Sequence, residues 1–135
     1  MNGKRYALAA LAVFVCMMTT GFVVHGTLLG PDYKALGPLM RGQDDQAAHF
    51  LSMVLAHVAM ALGIAWIYAK GVEAKPWLAQ GLRFGLAFWL VGSVGVYLIY
   101  FAVQPLPSGL VTKQIVYGLA ESLLMGMVVA AVYRK

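Results

Sequence analysis

The sequence has few charged residues and almost no cysteine. Of its 135 residues, 11% are charged, 61% are hydrophobic and one is cysteine. Cys16 cannot form an intramolecular disulfide, and no cysteine or histidine spacing is typical of a structural zinc site. A soluble domain of this length lacks the interior volume to bury so much apolar surface. This argues against a soluble nucleotide-binding enzyme, a nucleic-acid-binding module and a disordered tail, and favours a protein embedded in lipid.

Four apolar stretches are long enough to cross a bilayer, which takes about 20 residues of helix. The stretches cover residues 6–29, 47–69, 76–103 and 110–133, and residues 30–46 form the longest loop. Gly30 and Pro31 end the first stretch, and Pro76 opens the third. Asp44 and Asp45 precede the second stretch, where carboxylates complement the positive end of a helix. We predict one all-α domain over residues 1–135, with four transmembrane helices in an antiparallel bundle.

The basic residues are distributed unequally between the two sides of this arrangement. Seven of the ten Lys and Arg residues lie at the two termini or around the second loop, including Arg83 and Lys135. Cytoplasmic segments of membrane proteins carry the excess of positive charge. We therefore predict that both termini are cytoplasmic. The net charge of +5 is then a topology signal.

Small residues recur at helical spacing in the last two stretches. Gly118, Ser122 and Gly126 share one face of the fourth stretch, and Gly81 and Gly85 share a face of the third. In lipid, helices associate through close approach at such residues. We expect these faces to pack within a compact bundle. A homodimer seam, or a place in a larger membrane complex, is an alternative use for them.

Glu121 is the clearest ionisable residue inside an apolar stretch. It lies about 12 Å along the helix from Lys113, near the middle of a bilayer. An ionisable group at that depth costs about 2.5–3.5 kcal/mol and suggests a site. His57, about 15 Å along the second stretch, lies at a similar depth. The two side chains can share a proton or cation, or they can form a polar contact that only holds helices together.

Histidine and methionine form a stripe on the second stretch. His49, Met53, His57 and Met60 recur at spacings of four, four and three residues. With His25 near the end of the first stretch, they raise haem or copper as a possibility. Methionine in an apolar chain more often fills gaps in a core. No tight ligand motif is visible, so we predict no cofactor and no metal site.

Arg83 lies about 10 Å into the third stretch. Its long side chain can extend back to the cytoplasmic surface and meet a phospholipid headgroup. We favour this interpretation over the binding of an anionic ligand within the membrane.

The first loop contains Tyr33 between two prolines, Pro31 and Pro38. We expect this segment to lie against the lipid headgroups as a tether with an aromatic anchor. The alternative is a lid over a binding site, but loops of this length are commonly plain connectors.

Several short motifs are similar to those of small four-helix inner-membrane proteins of bacteria. These motifs are His25-Gly26-x-Leu28-Leu29, the 33–41 loop, Trp66-Ile67-Tyr68, the 80–85 segment and Gln104-Pro105-Leu106-Pro107. The resemblance implies the four-span fold and a bacterial inner membrane. It implies no chemistry, because none of these motifs has an assigned role.

Three functions remain open on the sequence. No nucleophile–base pair, phosphate loop or metal motif is visible, which favours a non-enzymatic accessory or structural subunit with an intramembrane Glu–His contact. The first alternative is a small oligomeric transporter coupled to protons or cations through Glu121 and His57. The second alternative is a haem-binding electron carrier. The predicted partners are the lipid bilayer and other membrane subunits, without nucleic acid.

Overall fold

The computed structural model is all-helical over the residues it describes, 1–134. Lys135, which contributes to the predicted charge asymmetry, lies outside this range. The helices are α1 (Gly3–Leu28), α2 (Gly30–Ala35), α3 (Gln43–Ala48), α4 (Phe50–Gly71), α5 (Trp77–Val103) and α6 (Ser108–Val132). Helices α1, α4, α5 and α6 are long and apolar enough to span a membrane. The prediction of an all-α chain with four such helices is confirmed.

The second apolar stretch begins later than the sequence predicts. Asp44 and Asp45 lie in the first turn of the short helix α3, and α4 begins only at Phe50. The backbone breaks at His49, whose Nδ1 lies 2.8 Å from the carbonyl oxygen of Asp45. The two carboxylates therefore complement the N-terminus of α3, because α3 and α4 are separate helices.

Two of the long helices contain a π-helical segment. Residues Phe22–Leu28 form the last part of α1, and residues Leu90–Gly95 lie in the middle of α5. Leu29 donates its backbone N–H to the carbonyl of Val24 at 2.8 Å, one residue further back than in an α-helix. Such segments rotate the side chains that follow them and occur frequently at functional sites.

The four long helices lie side by side in the order α4, α1, α6, α5. Helix α1 packs against α4 and α6, and α5 packs mainly against α6. We call the end that contains both termini and residues 72–76 the terminal end. The opposite end, with residues 29–49 and 104–107, is the loop end. At the terminal end Tyr68 of α4 meets Phe84 of α5 edge-on, with ring centroids 5.3 Å apart.

Glycine allows α5 and α6 to approach very closely. A Cβ at Gly81 would lie 2.6 Å from the carbonyl oxygen of Gly126, and a Cβ at Gly85 would overlap the carbonyl of Ser122. Further along, a Cβ at Gly118 would lie 2.6 Å from the hydroxyl of Ser93. The small-residue faces of α5 and α6 therefore pack against each other within one molecule.

The core is concentrated in the terminal-end half. Its buried residues include Val13 of α1, Ile64 and Ala65 of α4 and Val129 of α6. At the loop end the buried cluster is smaller and consists of Val24, Leu29 and Leu110. Within residues 50–60 no residue is buried, and within residues 90–103 only Ser93 is. Helices α4 and α5 thus present apolar faces to their surroundings toward the loop end.

Candidate polar site around Glu121

Glu121 lies in the middle of α6, and its nearest basic group is His25 of α1. The Oε2 atom of Glu121 is 3.8 Å from Nε2 of His25. The side chains of His25 and Glu121 are 36% and 21% exposed. The pair therefore lies at the edge of the packed core and is partly exposed.

His25 lies in the π-helical segment that ends α1. The wider turns of such a segment change which side chains face the neighbouring helix, so an α-helical pattern does not give the direction of His25. Its ring points between α2 and α6. One nitrogen faces Tyr33 and the other faces Glu121, so the imidazole connects the two side chains.

Tyr33 joins the loop-end surface to this pair. Its hydroxyl lies 2.7 Å from Nδ1 of His25 and accepts a hydrogen bond of 3.1 Å from Nε2 of Gln114. Because Gln114 already donates to this hydroxyl, the Tyr33 proton is available to Nδ1. In that arrangement the neutral imidazole carries its proton on Nε2, toward Glu121.

An ion pair fixes α2 over the site. Lys113 of α6 donates to both carboxylate oxygens of Asp32, at 2.9 and 3.0 Å. Tyr33 and Leu36 also pack against the cluster of Val24, Leu29 and Leu110. The Tyr33 segment therefore differs from the expected tether on the headgroups, because its aromatic side chain is bonded into the helix bundle.

The other long helices also place polar side chains near Glu121. His57 of α4 interacts electrostatically with Glu121 and His25, and its Nε2 lies 3.8 Å from where a Gly21 Cβ would be. Thr20 of α1 and Tyr97 of α5 also lie close enough to influence the Glu121 carboxyl group. Polar side chains from all four long helices thus lie in the neighbourhood of Glu121, and His25 is the nearest of the basic ones.

The remaining predicted site residues lie elsewhere. His49 forms local contacts with Asp45 in an exposed turn at the loop end. Arg83 is exposed near the terminal end, with no ion pair among the described residues. In residues 1–134 no group of three or more His, Cys, Asp or Glu side chains is arranged to hold a metal ion.

Four residues near Glu121 were not assigned to the site from the sequence. These are Tyr33, Gln114, Thr20 and Tyr97. Gln114 precedes Glu121 by seven residues, which is two turns of the same helix, so a polar stripe on α6 was available as a signal. Nothing in the sequence shows that α2 folds back over α1.

Comparison with protein-family models, with curated proteins and with solved structures finds no match for this chain.

Proposed function

We propose that the protein is an integral inner-membrane protein that binds a proton or a small cation at Glu121. In this proposal the long helices span the membrane in alternating directions, with both termini in the cytoplasm. The uneven distribution of Lys and Arg supports this orientation.

The geometry of the His25–Glu121 pair carries the proposal. A polar contact that serves only to hold helices together is expected to be short and enclosed, since an unpaired polar group in lipid is costly. Glu121 instead lies 3.8 Å from His25 and is partly exposed. A separation of this size and a partly exposed side chain suit a carboxyl group that exchanges a bound proton or cation.

The chain of side chains suggests how a proton reaches this carboxyl group. Tyr33 lies at the loop end, and the two nitrogens of His25 connect it to Glu121. A proton accepted at Nδ1 and released from Nε2 passes along this line, as histidine commonly allows. His57 then acts as a second imidazole whose charge affects both His25 and Glu121. Four helices enclose no wide pathway, so transport requires an oligomer.

Proton flux into proteoliposomes tests the proposal. A pH gradient is imposed, monovalent and divalent cations are added in turn, and a trapped pH-sensitive dye reports proton movement. We expect Glu121→Gln to abolish cation-dependent flux. We expect His25→Gln to reduce this flux about tenfold or more, since a positioned acid–base group typically contributes about 10²–10⁴-fold.

Matched controls use the same chemical changes outside the site. Glu73→Gln alters a carboxylate of the second loop, and His49→Gln alters an imidazole at the loop end. Both are expected to retain full flux. Unchanged flux in Glu121→Gln would exclude the mechanism. Infrared titration of the carboxyl band in the unaltered protein, with the variant as reference, would then show whether Glu121 binds a proton.

The accessory-subunit function is supported by a different observation. Residues 50–60 and 90–103 expose apolar faces that the chain does not cover. A partner subunit or a second copy would pack there. Cross-linking in the membrane followed by purification in mild detergent is expected to recover such a complex, and recovery of the monomer alone would argue against this function.

A further inference from the structure

A second polar site lies at the terminal end, on the opposite half of the molecule from Glu121. A cavity of about 170 Å³ opens there between the end of α4, the start of α5 and the end of α6. One water molecule occupies about 30 Å³ in the liquid, so the cavity has room for a group of several heavy atoms. The residues used below are Tyr68, Lys75, Trp77, Gln80 and Arg134, which all line it.

Two cations border the cavity. The guanidinium of Arg134 stacks on the indole of Trp77, with its Cζ 4.6 Å from the ring centroid. Its Nε donates to the carbonyl of Ala131 at 2.9 Å, and its two terminal nitrogens have no bond among the described residues. Lys75 pairs with Glu73, and its ammonium group has further donors. The guanidinium is thus fixed in place with a planar pair of donors unused.

The N-terminus of α5 opens on the same cavity. No side chain caps this helix, so the backbone N–H groups of its first turn, after Pro76, lack side-chain partners. Uncapped amides and the positive end of the helix dipole favour an anion. Gln80 holds the loop before the helix by bonding Glu73 and Lys75 through its side-chain amide at 2.8–2.9 Å.

Tyr68 supplies an independent indication that the cavity takes a polar ligand. It is 4% exposed and lies in the cavity wall, and its hydroxyl has no hydrogen-bond partner among residues 1–134. Leaving a buried hydroxyl unpaired is unfavourable, because its bonds to water are lost and not replaced. A ligand oxygen in the cavity would give this hydroxyl a partner.

We propose that this cavity binds a phosphate group, with Arg134 as the main ligand and Lys75, Tyr68 and the first turn of α5 as the others. A phosphate accepts paired bonds from a guanidinium and bonds from helix amides at the same time. The group belongs to an anionic phospholipid of the same membrane surface or to a soluble phosphate. Basic pockets between helices on the cytoplasmic side hold lipid headgroups in this way.

Lipid retention measured by native mass spectrometry tests the proposal. The full chain is purified in mild detergent and offered phosphatidylglycerol or phosphatidylcholine. We expect about tenfold stronger retention of phosphatidylglycerol, and a loss of about tenfold in Arg134→Gln, the size typical of a charge-assisted contact. Tyr68→Phe removes only the hydroxyl and is expected to weaken retention about threefold or more.

Lys4→Gln is the matched control, since it removes one exposed positive charge at the same end but outside the cavity. It should retain lipid as the unaltered protein does. Equal losses in Lys4→Gln and Arg134→Gln would overturn the proposal in favour of a diffuse basic surface. Thermal unfolding of each variant separates loss of the site from loss of the fold.

Inorganic phosphate distinguishes the two sources of the group. If millimolar phosphate alone changes Trp77 fluorescence and phosphatidylglycerol does not compete, the ligand is soluble. If phosphatidylglycerol binds and phosphate does not displace it, the ligand is the lipid. Binding of neither probe, with Tyr68→Phe indistinguishable from the unaltered protein, would exclude the site.

Discussion

Tyr33 shows how one residue connects the surface of the protein to its centre. Its hydroxyl contacts His25 and Gln114, and its ring packs in the loop-end cluster. Burial raises the pKa of the Tyr33 phenol above its ordinary value of 10.0. The carboxylates of Glu121 and Asp32 act in the same direction, and the bond from Gln114 opposes them.

The raised pKa means that the folded state favours the neutral phenol. The corresponding stability is complete below pH 10 and is lost as the pH rises toward the folded-state pKa. Tyr33→Phe removes the hydroxyl and leaves the buried Gln114 amide without this partner. We expect a loss of about 1–3 kcal/mol in the free energy of unfolding at neutral pH.

Thermal unfolding in detergent across pH 7 to about 11 measures this effect. The stability difference between the unaltered protein and Tyr33→Phe should shrink above pH 10. Tyr100→Phe serves as the control, since Tyr100 is exposed on α5. A difference that stays constant through the alkaline range would show that the phenol does not titrate as a buried group.

At the scale of the helices, contact between α5 and α6 depends on the absence of side chains. Gly81 faces Gly126, and Gly85 faces Ser122, at distances that leave no room for a Cβ. In lipid, helices associate through such packing because apolar burial contributes little between them. The same contact fixes the rotation of α6, and therefore the face on which Glu121 lies.

Gly85→Ala is expected to push α5 from α6 and to destabilise the bundle by about 1–3 kcal/mol. The apparent melting temperature in detergent measures this loss. Gly63→Ala in α4 is the control, because nothing lies within 4 Å of the added methyl group. It should leave stability unchanged or raise it slightly, since alanine favours helix. Equal effects of the two substitutions would contradict close packing at Gly85.

At the scale of the whole molecule, the two ends differ in packing and in chemistry. The terminal end contains the larger core and the proposed phosphate cavity. The loop end is more open, and its polar chain leads from Tyr33 to Glu121. If the positive-inside rule applies, the cavity faces the cytoplasm and Tyr33 faces the outside.

Labelling of single cysteines tests this orientation. In a Cys16→Ala background, we place one cysteine by Lys4→Cys, Ala74→Cys or Lys34→Cys, all at exposed positions. A membrane-impermeant maleimide added to intact spheroplasts should label only Lys34→Cys, and permeabilised membranes should label all three. Labelling of Lys4→Cys but not Ala74→Cys in intact spheroplasts would place the terminus and the second loop on opposite sides.

The four long helices and the position of Glu121 were predictable from the sequence. The length and hydropathy of an apolar run depend only on local composition, and a carboxyl group within it is visible directly. The break at His49 was not predictable in the same way. The hydrophobic pattern carries no sign of it, because such a pattern records which residues are apolar and not the backbone angles between two helices.

The sequence by itself determined that this chain has four membrane-length helices with one carboxyl group midway along the last. The tertiary structure decided which groups surround that carboxyl. Depth along the helices points to His57, but the nearest ring belongs to His25, because helix rotation and a π-helical segment set direction independently of depth. The docking of Tyr33 and the cavity at Arg134 likewise depend on contacts between residues far apart in sequence, which no local pattern encodes.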